Sequence, residues 1–220
     1  MKLKELLEFL SKLEDVCLAY SGGVDSSFLA YLLKISKVNF KAVMVVNEFI
    51  SNDRVREAIE IAKEIGFELN LVEVKASKEM LENREDRCYL CKKIMFYEIS
   101  KFGYKIVDGT NASDLMEYRP GIKALREFGV ISPLAELGIT KREVREMAKN
   151  LGLSFFDKPS DSCLATRIEG IITEEKLKFV EVAERVANKI LAKSGIKVKK
   201  LRVKLKSGKN LFTVQLQILK

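Results

Sequence analysis

The sequence predicts an α/β fold, a parallel twisted sheet with helices on both faces, followed by a small C-terminal α+β domain. Three observations predict it. Strand-like apolar runs alternate with segments of helical spacing from Val16 to Val74, and such alternation calls for parallel strands joined by helical crossovers. A run of small residues, Ser21-Gly22-Gly23-Val24-Asp25-Ser26-Ser27, falls between the first strand and the helix that follows. Towards the C-terminal end, Leu201, Val203 and Leu205 alternate with Arg202, Lys204 and Lys206. Phe212, Val214, Leu216 and Ile218 repeat the alternation beyond Ser207-Gly208-Lys209-Asn210, which predicts an antiparallel hairpin whose basic face is solvated.

Leu3 to Leu13 has helical spacing, and Val16-Cys17-Leu18-Ala19-Tyr20 is a compact apolar run of buried-strand type. Helical periodicity resumes from Ser26 to Ile35, Phe40 to Val46 is strand-like, Asp53 to Ile65 is helical, and Phe67 to Val74 is again strand-like. A helix over Leu90 to Phe102 and a short strand, Lys105 to Asp108, come next, then a turn-rich stretch from Gly109 to Gly121. Thr140-Lys141-Arg142-Glu143 has the form of a capping box and opens a helix that ends near Gly152. Phe155 to Gly170 has no clear period, and Pro159, Ser160, Ser162 and Gly170 mark it as a loop and domain boundary. Beyond it Leu177, Val180, Ala183, Val186, Ala187, Ile190 and Leu191 share one helical face that must pack against something.

A chain of 220 residues, 47% apolar and 32% charged, can bury a sizeable core and has the composition of a globular protein. Its apolar runs are of strand length, short of the roughly 18 residues that suggest a membrane span. Met1-Lys2-Leu3-Lys4-Glu5 reads as an amphipathic helix rather than a cleavable signal, so a cytoplasmic location and no membrane partner are expected. The net charge of +8 suits anionic ligands, but the basic residues are spread along the chain and do not single out nucleic acid. There is no histidine, so acid-base work and metal ligation fall to Asp, Glu, Lys, Tyr, Cys or the substrate.

Gly22 and Gly23 let the backbone turn with its N–H groups inward, where the positive end of the following helix adds to the attraction for an anion. Ser21, Ser26 and Ser27 add hydroxyl donors. Asp25 cannot bind phosphate directly and is better explained as a magnesium ligand, the plain alternative being helix capping by Asp25 and Ser26. The loop lacks the Gly-Lys-Ser/Thr ending of a Walker A motif. It resembles the pyrophosphate loop of the family that includes NAD synthetase, GMP synthetase and the tRNA thiolation enzymes, which implies ATP cleavage between the α and β phosphates and adenylylation of a substrate.

Four cysteines without an export signal suggest metal ligands or catalytic thiols before disulfides. Cys88 and Cys91 are close enough to share a metal or cluster, while Cys163 lies in the irregular segment. Zinc would take its fourth ligand from Asp161, Asp86 or water, whereas a four-iron cluster on three cysteines leaves one iron open. A redox disulfide at Cys88 and Cys91, or chance thiols, are the other readings. Cys17, between Val16 and Leu18, reads as a core residue.

Beyond the loop the chain resembles the LarE family, the ATP-dependent sulfur transferases of nickel-pincer cofactor biosynthesis. The likeness lies in Arg87-Cys88-Tyr89-Leu90-Cys91-Lys92-Lys93, Asp108-Gly109-Thr110-Asn111 with Asp114, Tyr118-Arg119-Pro120-Gly121, Ser132-Pro133-Leu134, and Asp157-Lys158-Pro159 leading to Cys163-Leu164-Ala165-Thr166-Arg167. The chain departs from the family at Phe156, where tryptophan is frequent, and at Glu169-Gly170, where a loop is shortened. The resemblance implies that a carboxylate of a pyridinium mononucleotide is adenylylated and turned into a thiocarboxylate. It also implies one of two sulfur sources. Either Cys163 gives up its own sulfur, or Cys88, Cys91 and Cys163 hold a four-iron, four-sulfur cluster that carries the sulfur, and the presence of all three favours the cluster.

The expected organisation is therefore a nucleotide-binding domain at 1–157 and a C-terminal domain at 158–220 that contributes Cys163. ATP, magnesium and the cluster are the expected cofactors, and a homo-oligomer is expected. Cys163 and Asp25 are the catalytic candidates. Ser21, Gly22, Gly23, Ser26 and Ser27 would hold phosphates, Asn111 and Asp114 would reach the nucleotide, and Arg119, Lys158 and Arg167 would neutralise the substrate carboxylate or phosphate. Two competing readings stay open: a tRNA-thiolating enzyme, and a non-enzymatic nucleotide sensor with a zinc or redox site. The sulfur donor is not indicated.

Overall fold

The computed structural model describes residues 2–116, 120–196, 198–206 and 212–218. The elements run α1 (Lys2–Leu10), β1 (Val16–Ala19), α2 (Val24–Ile35), β2 (Phe40–Val46), α3 (Asn52–Ile65), β3 (Leu69–Glu73), α4 (Lys78–Leu81), α5 (Arg87–Ser100) and β4 (Lys105–Asp108). They continue as α6 (Ala112–Leu115), α7 (Ile122–Glu127), α8 (Pro133–Glu136), α9 (Lys141–Asn150), α10 (Glu174–Lys193), β5 (Val198–Leu205) and β6 (Phe212–Ile218). Turns of 3₁₀ helix occupy Ser154–Asp157 and Leu164–Arg167. The chain divides into two units, one of residues 1–46, 52–74 and 88–160, the other of residues 47–51, 75–87 and 161–220.

The first unit is the predicted parallel sheet, in the order β3-β2-β1-β4. It gains one further parallel contact at Val107 and Ile131, where Asp108 donates its N–H to Ile131 O at 3.0 Å. Every residue of β1 is buried, as a strand covered on both faces requires. Alternation along the strands sends Cys17, Ala19, Val43, Val45 and Ile106 to one face, where Phe96 and Ile99 of α5 and Ala124 and Leu125 of α7 close the core. On the other face α2 lies against β1 and β2, with α1, α3 and α9 around it, and its Phe28, Leu29, Leu32 and Leu33 are buried. Helix α9 opens on the expected box: Thr140 accepts from Glu143 N, and Glu143 accepts from Thr140 N at 2.8 Å.

Two differences from expectation matter for the site. Helix α5 starts at Arg87 rather than Leu90, so Cys88 and Cys91 stand one turn apart at its start. The stretch from Gly109 to Gly121, read as turns, includes α6, and α7 follows at once. Helices of 4 and 6 residues are too short to display a period.

The second unit contains the antiparallel pair β5 and β6, with Leu201 opposite Leu216 and Val203 opposite Val214. The expected turn at 207–210 lies outside the described residues. Leu201 and Val203 are buried with Leu177 and Val180 of α10, while Val186 and Ile190, assigned to the same helical face, are exposed. Among the described residues the apolar face of α10 is thus covered only in its first half. Among the described residues no helix is long and apolar enough to cross a membrane.

Candidate functional site

In the first unit the loop between β1 and α2 is built by its own hydroxyls. Ser21 Oγ and Ser26 Oγ lie 3.1 Å apart, Ser26 Oγ donates to Gly23 O at 3.2 Å, and Ser21 Oγ accepts from Gly23 N at 3.4 Å. Gly23 is the N-cap of α2 and caps nothing with a side chain, so the first-turn N–H groups are not masked by one. Ser27 is fully buried, 3.1 Å from the Tyr20 hydroxyl. Burial pushes the Tyr20 phenol up to about 12, so it stays protonated and donates to Ala58 O at 3.3 Å.

Two glycines make this packing feasible. Gly22 has φ +66°, and a Cβ there would lie 2.5 Å from Ala58 Cβ on α3. Gly109, at the end of β4, would place a Cβ 2.8 Å from Ser26 N. The backbone beyond β4 therefore runs directly against the first turn of α2, a closeness only glycine permits.

That contact gathers the polar groups around Asp25. Asp25 Oδ1 is buried without a hydrogen-bond partner, and so is Nδ2 of the fully buried Asn111. Burial raises the Asp25 carboxyl above its ordinary range. Lys141 opposes the rise, Asp114 adds to it, and Arg145 and the Asn111 amide oppose it. Asn111 acts as a nearby dipole here, since neither orphaned atom completes a hydrogen bond. Its Oδ1 accepts from Asp114 N at 3.1 Å and Asp114 Oδ2 accepts from Asn111 N at 3.2 Å, capping α6. An oxygen and an amide nitrogen left without partners beside a glycine-lined loop suit a hydrated cation and a polar ligand.

Sequence reasoning missed Lys141 and Arg145, whose only signal was i, i+4 spacing on α9. It also missed the bracing under Gly109. Asp108 Oδ1 accepts from Ser132 Oγ at 2.6 Å and from Thr110 N at 3.1 Å, Oδ2 accepts from Thr110 Oγ1 at 2.5 Å, and Lys92 Nζ stands 4.0 Å away.

Lys158 reaches the loop from behind, donating to Gly22 O at 2.9 Å and pairing with Glu57 at 2.8 Å. Arg145 secures that segment by donating to Phe156 O at 2.9 Å and Lys158 O at 2.6 Å. In this arrangement Lys158 holds the loop that would hold phosphate. Lys158→Met should raise the Kd for ATP by roughly tenfold, the worth of one hydrogen bond to a charged group. Calorimetric titration with ATP checks this, and unchanged affinity would remove Lys158 from the loop's support.

Of the four cysteines, Cys17 is buried, Cys91 and Cys163 are half-buried, and Cys88 is exposed. Burial raises the Cys17 thiol, against the pull of Lys41, as expected of a core residue. Between Cys88 and Cys91, Tyr89 donates its hydroxyl to Glu127 at 2.9 Å, and Lys123 sits 4.9 Å from its ring. This ties the first turn of α5 to α7. In the second unit, Arg87 donates to Ala165 O at 3.4 Å and Asn83 Nδ2 donates to Ile168 O at 2.7 Å, joining the residues before Cys88 to those after Cys163.

Cys88 and Cys91 stand one helical turn apart on α5, and the chain has no histidine to add to them, so thiolates and carboxylates are the ligands it could offer a metal or cluster. Among the described residues no three candidate ligands are gathered at metal distance. Arg167 is buried, with its donors engaged by protein oxygens. Tyr118 and Arg119 lie outside the described residues.

The family profile described as NAD synthase matches residues 3–116, just over half the chain. An uncharacterised protein of Synechocystis sp. is 38% identical over 193 residues, 83% of this chain and 72% of that protein. An uncharacterised protein of Methanocaldococcus jannaschii is 35% identical over 226 residues, 99% of this chain and 83% of the other. The pyridinium-3,5-bisthiocarboxylic acid mononucleotide synthase of Lactiplantibacillus plantarum is 26% identical over 195 residues, covering 84% of this chain and 71% of that enzyme.

Proposed function

We propose a function from one premise: the chain belongs to the NAD synthase-like pyrophosphate-loop family. Enzymes of this family use ATP. We infer that this one is an ATP-dependent sulfur transferase, which adenylylates a carboxylate of a pyridinium mononucleotide and converts it to a thiocarboxylate in nickel-pincer cofactor biosynthesis. The reading is supported by the coexistence of the phosphate-type loop at 21–27 with three cysteines, Cys88, Cys91 and Cys163, in a chain without histidine. The similarity to the Lactiplantibacillus plantarum synthase directs it to this substrate class.

In the first half-reaction the substrate carboxylate attacks the α-phosphorus of ATP and pyrophosphate leaves. The N–H groups and hydroxyls of residues 21–27 hold the departing phosphates, Asp25 would hold magnesium, and Lys141 and Arg145 add positive charge. Asn111 and Asp114 face the nucleotide, and Arg119 neutralises the substrate. In the second half-reaction a sulfide nucleophile attacks the acyl carbon, the acyl–oxygen bond to AMP breaks, and a thiocarboxylate forms. Cys88, Cys91 and Cys163 would hold a four-iron, four-sulfur cluster, which would supply the sulfide nucleophile.

Anaerobic reconstitution with iron and sulfide tests the reading. The parent should bind about four iron atoms per chain and absorb in the visible, and Cys88→Ala, Cys91→Ala and Cys163→Ala should each lose that absorption. Each variant should still release pyrophosphate when given the pyridinium carboxylate. Zinc without iron would sink the cluster, loss of sulfur mass from Cys163 after turnover would show a sacrificial cysteine, and thiolation of tRNA instead would overturn the substrate.

A further inference from the structure

We infer that Arg167 is a positioning residue, which from inside the protein fixes the backbone that carries Cys163 and is itself fixed by Glu184. An arginine one position beyond a Leu-Ala-Thr stretch has, in sequence, the look of a cation waiting for an anion. In the second unit it is 2% exposed, so no substrate reaches it without the segment opening. Its Nε donates to Glu184 Oε1 at 3.1 Å and its Nη2 to Asp161 Oδ1 at 2.7 Å. Its Nη1 lies within bonding distance of Ser162 O, of Ser162 Oγ at 2.8 Å, of Cys163 O at 2.9 Å and of Thr166 Oγ1 at 3.0 Å. The planar fork thus grips the chain at 161, 162, 163 and 166, on both sides of the thiol.

The grip is anchored. Glu184 Oε1 also accepts from Val203 N at 3.0 Å, which links α10 to β5. Cys163 O accepts in addition from Thr166 Oγ1 at 2.8 Å, and Leu164 N donates to Phe49 O at 2.8 Å. A guanidinium satisfies acceptors in several directions at once from a fixed plane, whereas an ammonium on a flexible stem does not. The charges also balance, with Arg167 and Arg202 near Asp161 and Glu184. The face of β5 read as solvated is therefore half-buried at Arg202. The 3₁₀ turn that follows Cys163 has no side-chain cap, so Arg167 adds its bonds to those of Thr166 and Leu164 in holding this backbone.

The catalytic meaning of this clamp rests on the proposal that Cys163 serves sulfur transfer. The test compares Arg167→Met, Arg167→Lys and Glu184→Gln with the parent, by amide hydrogen exchange and by the two half-reactions with a pyridinium mononucleotide carboxylate. Both Arg167 variants should raise exchange at 161–167 by at least about tenfold, the loss of one hydrogen bond to a charged group. Exchange in β1 and α2 should not change. Pyrophosphate release should stay within about threefold, while thiocarboxylate formation falls about 100-fold, the cost of misplacing a reacting group by an ångström. Glu184→Gln, which keeps an acceptor oxygen, should show a smaller rise in exchange.

Full activity and parental exchange in Arg167→Lys would show that charge alone suffices and overturn the clamp. Loss of pyrophosphate release with parental exchange at 161–167 would make Arg167 a substrate ligand and overturn it too. If Arg167→Met fails to fold, the lysine and Glu184 variants carry the comparison. If the parent forms no thiocarboxylate at all, the functional proposal fails, and the exchange data still decide whether Arg167 holds the segment.

Discussion

Replacing Asp25 with asparagine is expected to lower magnesium-dependent pyrophosphate release by about 100-fold or more, the scale of several kcal/mol of lost charge stabilisation. The same variant should be at least as stable as the parent at neutral pH. Burial raises the Asp25 carboxyl above its unfolded value, so the folded chain prefers the protonated form. The stability this contributes is complete below the ordinary carboxylate pKa and is lost as pH rises through the raised folded value. At neutral pH the parent carries a charged carboxylate whose Oδ1 is buried without a partner, a cost of roughly 1–3 kcal/mol that the neutral amide reduces. Melting curves against pH should converge in acid and separate, in favour of Asp25→Asn, towards neutrality. Magnesium with ATP should stabilise the parent more than the variant. A variant that kept the parent's magnesium-dependent rate would remove Asp25 from the chemistry.

Gly22→Ala is expected to lose both ATP binding and a large part of the fold's stability. Alanine in the left-handed region costs about 1–2 kcal/mol, and its Cβ would meet Ala58 Cβ at 2.5 Å and Ala58 Cα at 2.9 Å. Overpacking of this kind adds roughly 1–3 kcal/mol. The total, about 2–5 kcal/mol, is serious against a typical stability of about 5–15 kcal/mol. Gly103→Ala provides the control, because φ is +80° there but nothing lies within 4 Å of the added Cβ. It should show strain alone, without loss of ATP affinity. Urea denaturation and calorimetric ATP titration separate the two, and equal losses at both positions would mean that Ala58 yields.

How much of this was legible in the sequence depends on how local the signal was. The strands β1, β2 and β4 stood out because continuous burial makes continuous apolar runs. The box at Thr140 and Glu143 was readable because both partners lie within one turn. Helices α4, α6, α7 and α8, of 4 to 6 residues, offered no period to read. At Ile131 a single parallel contact stands beside Val107, too short for a strand pattern. For α10 the apolar face predicted packing along its whole length, and only the half that meets β5 is covered.

The site divides in the same way. From the sequence alone came the parallel sheet, the glycine-serine loop between β1 and α2 and the pair of cysteines, because glycine freedom, burial period and thiol spacing are properties of neighbouring residues. Only the tertiary structure decided which partners each charge meets. Lys158 and Arg167 are alike in sequence as cations near a cysteine, yet one braces Gly22 from 136 positions away and the other is sealed among Asp161, Glu184 and the backbone of Cys163. Lys141 and Arg145 were not singled out as site residues, and the fold sets their charge against Asp25. A side chain's charge is written in the sequence, but its solvation and partners are set by residues distant along the chain, and those determine what the charge can do.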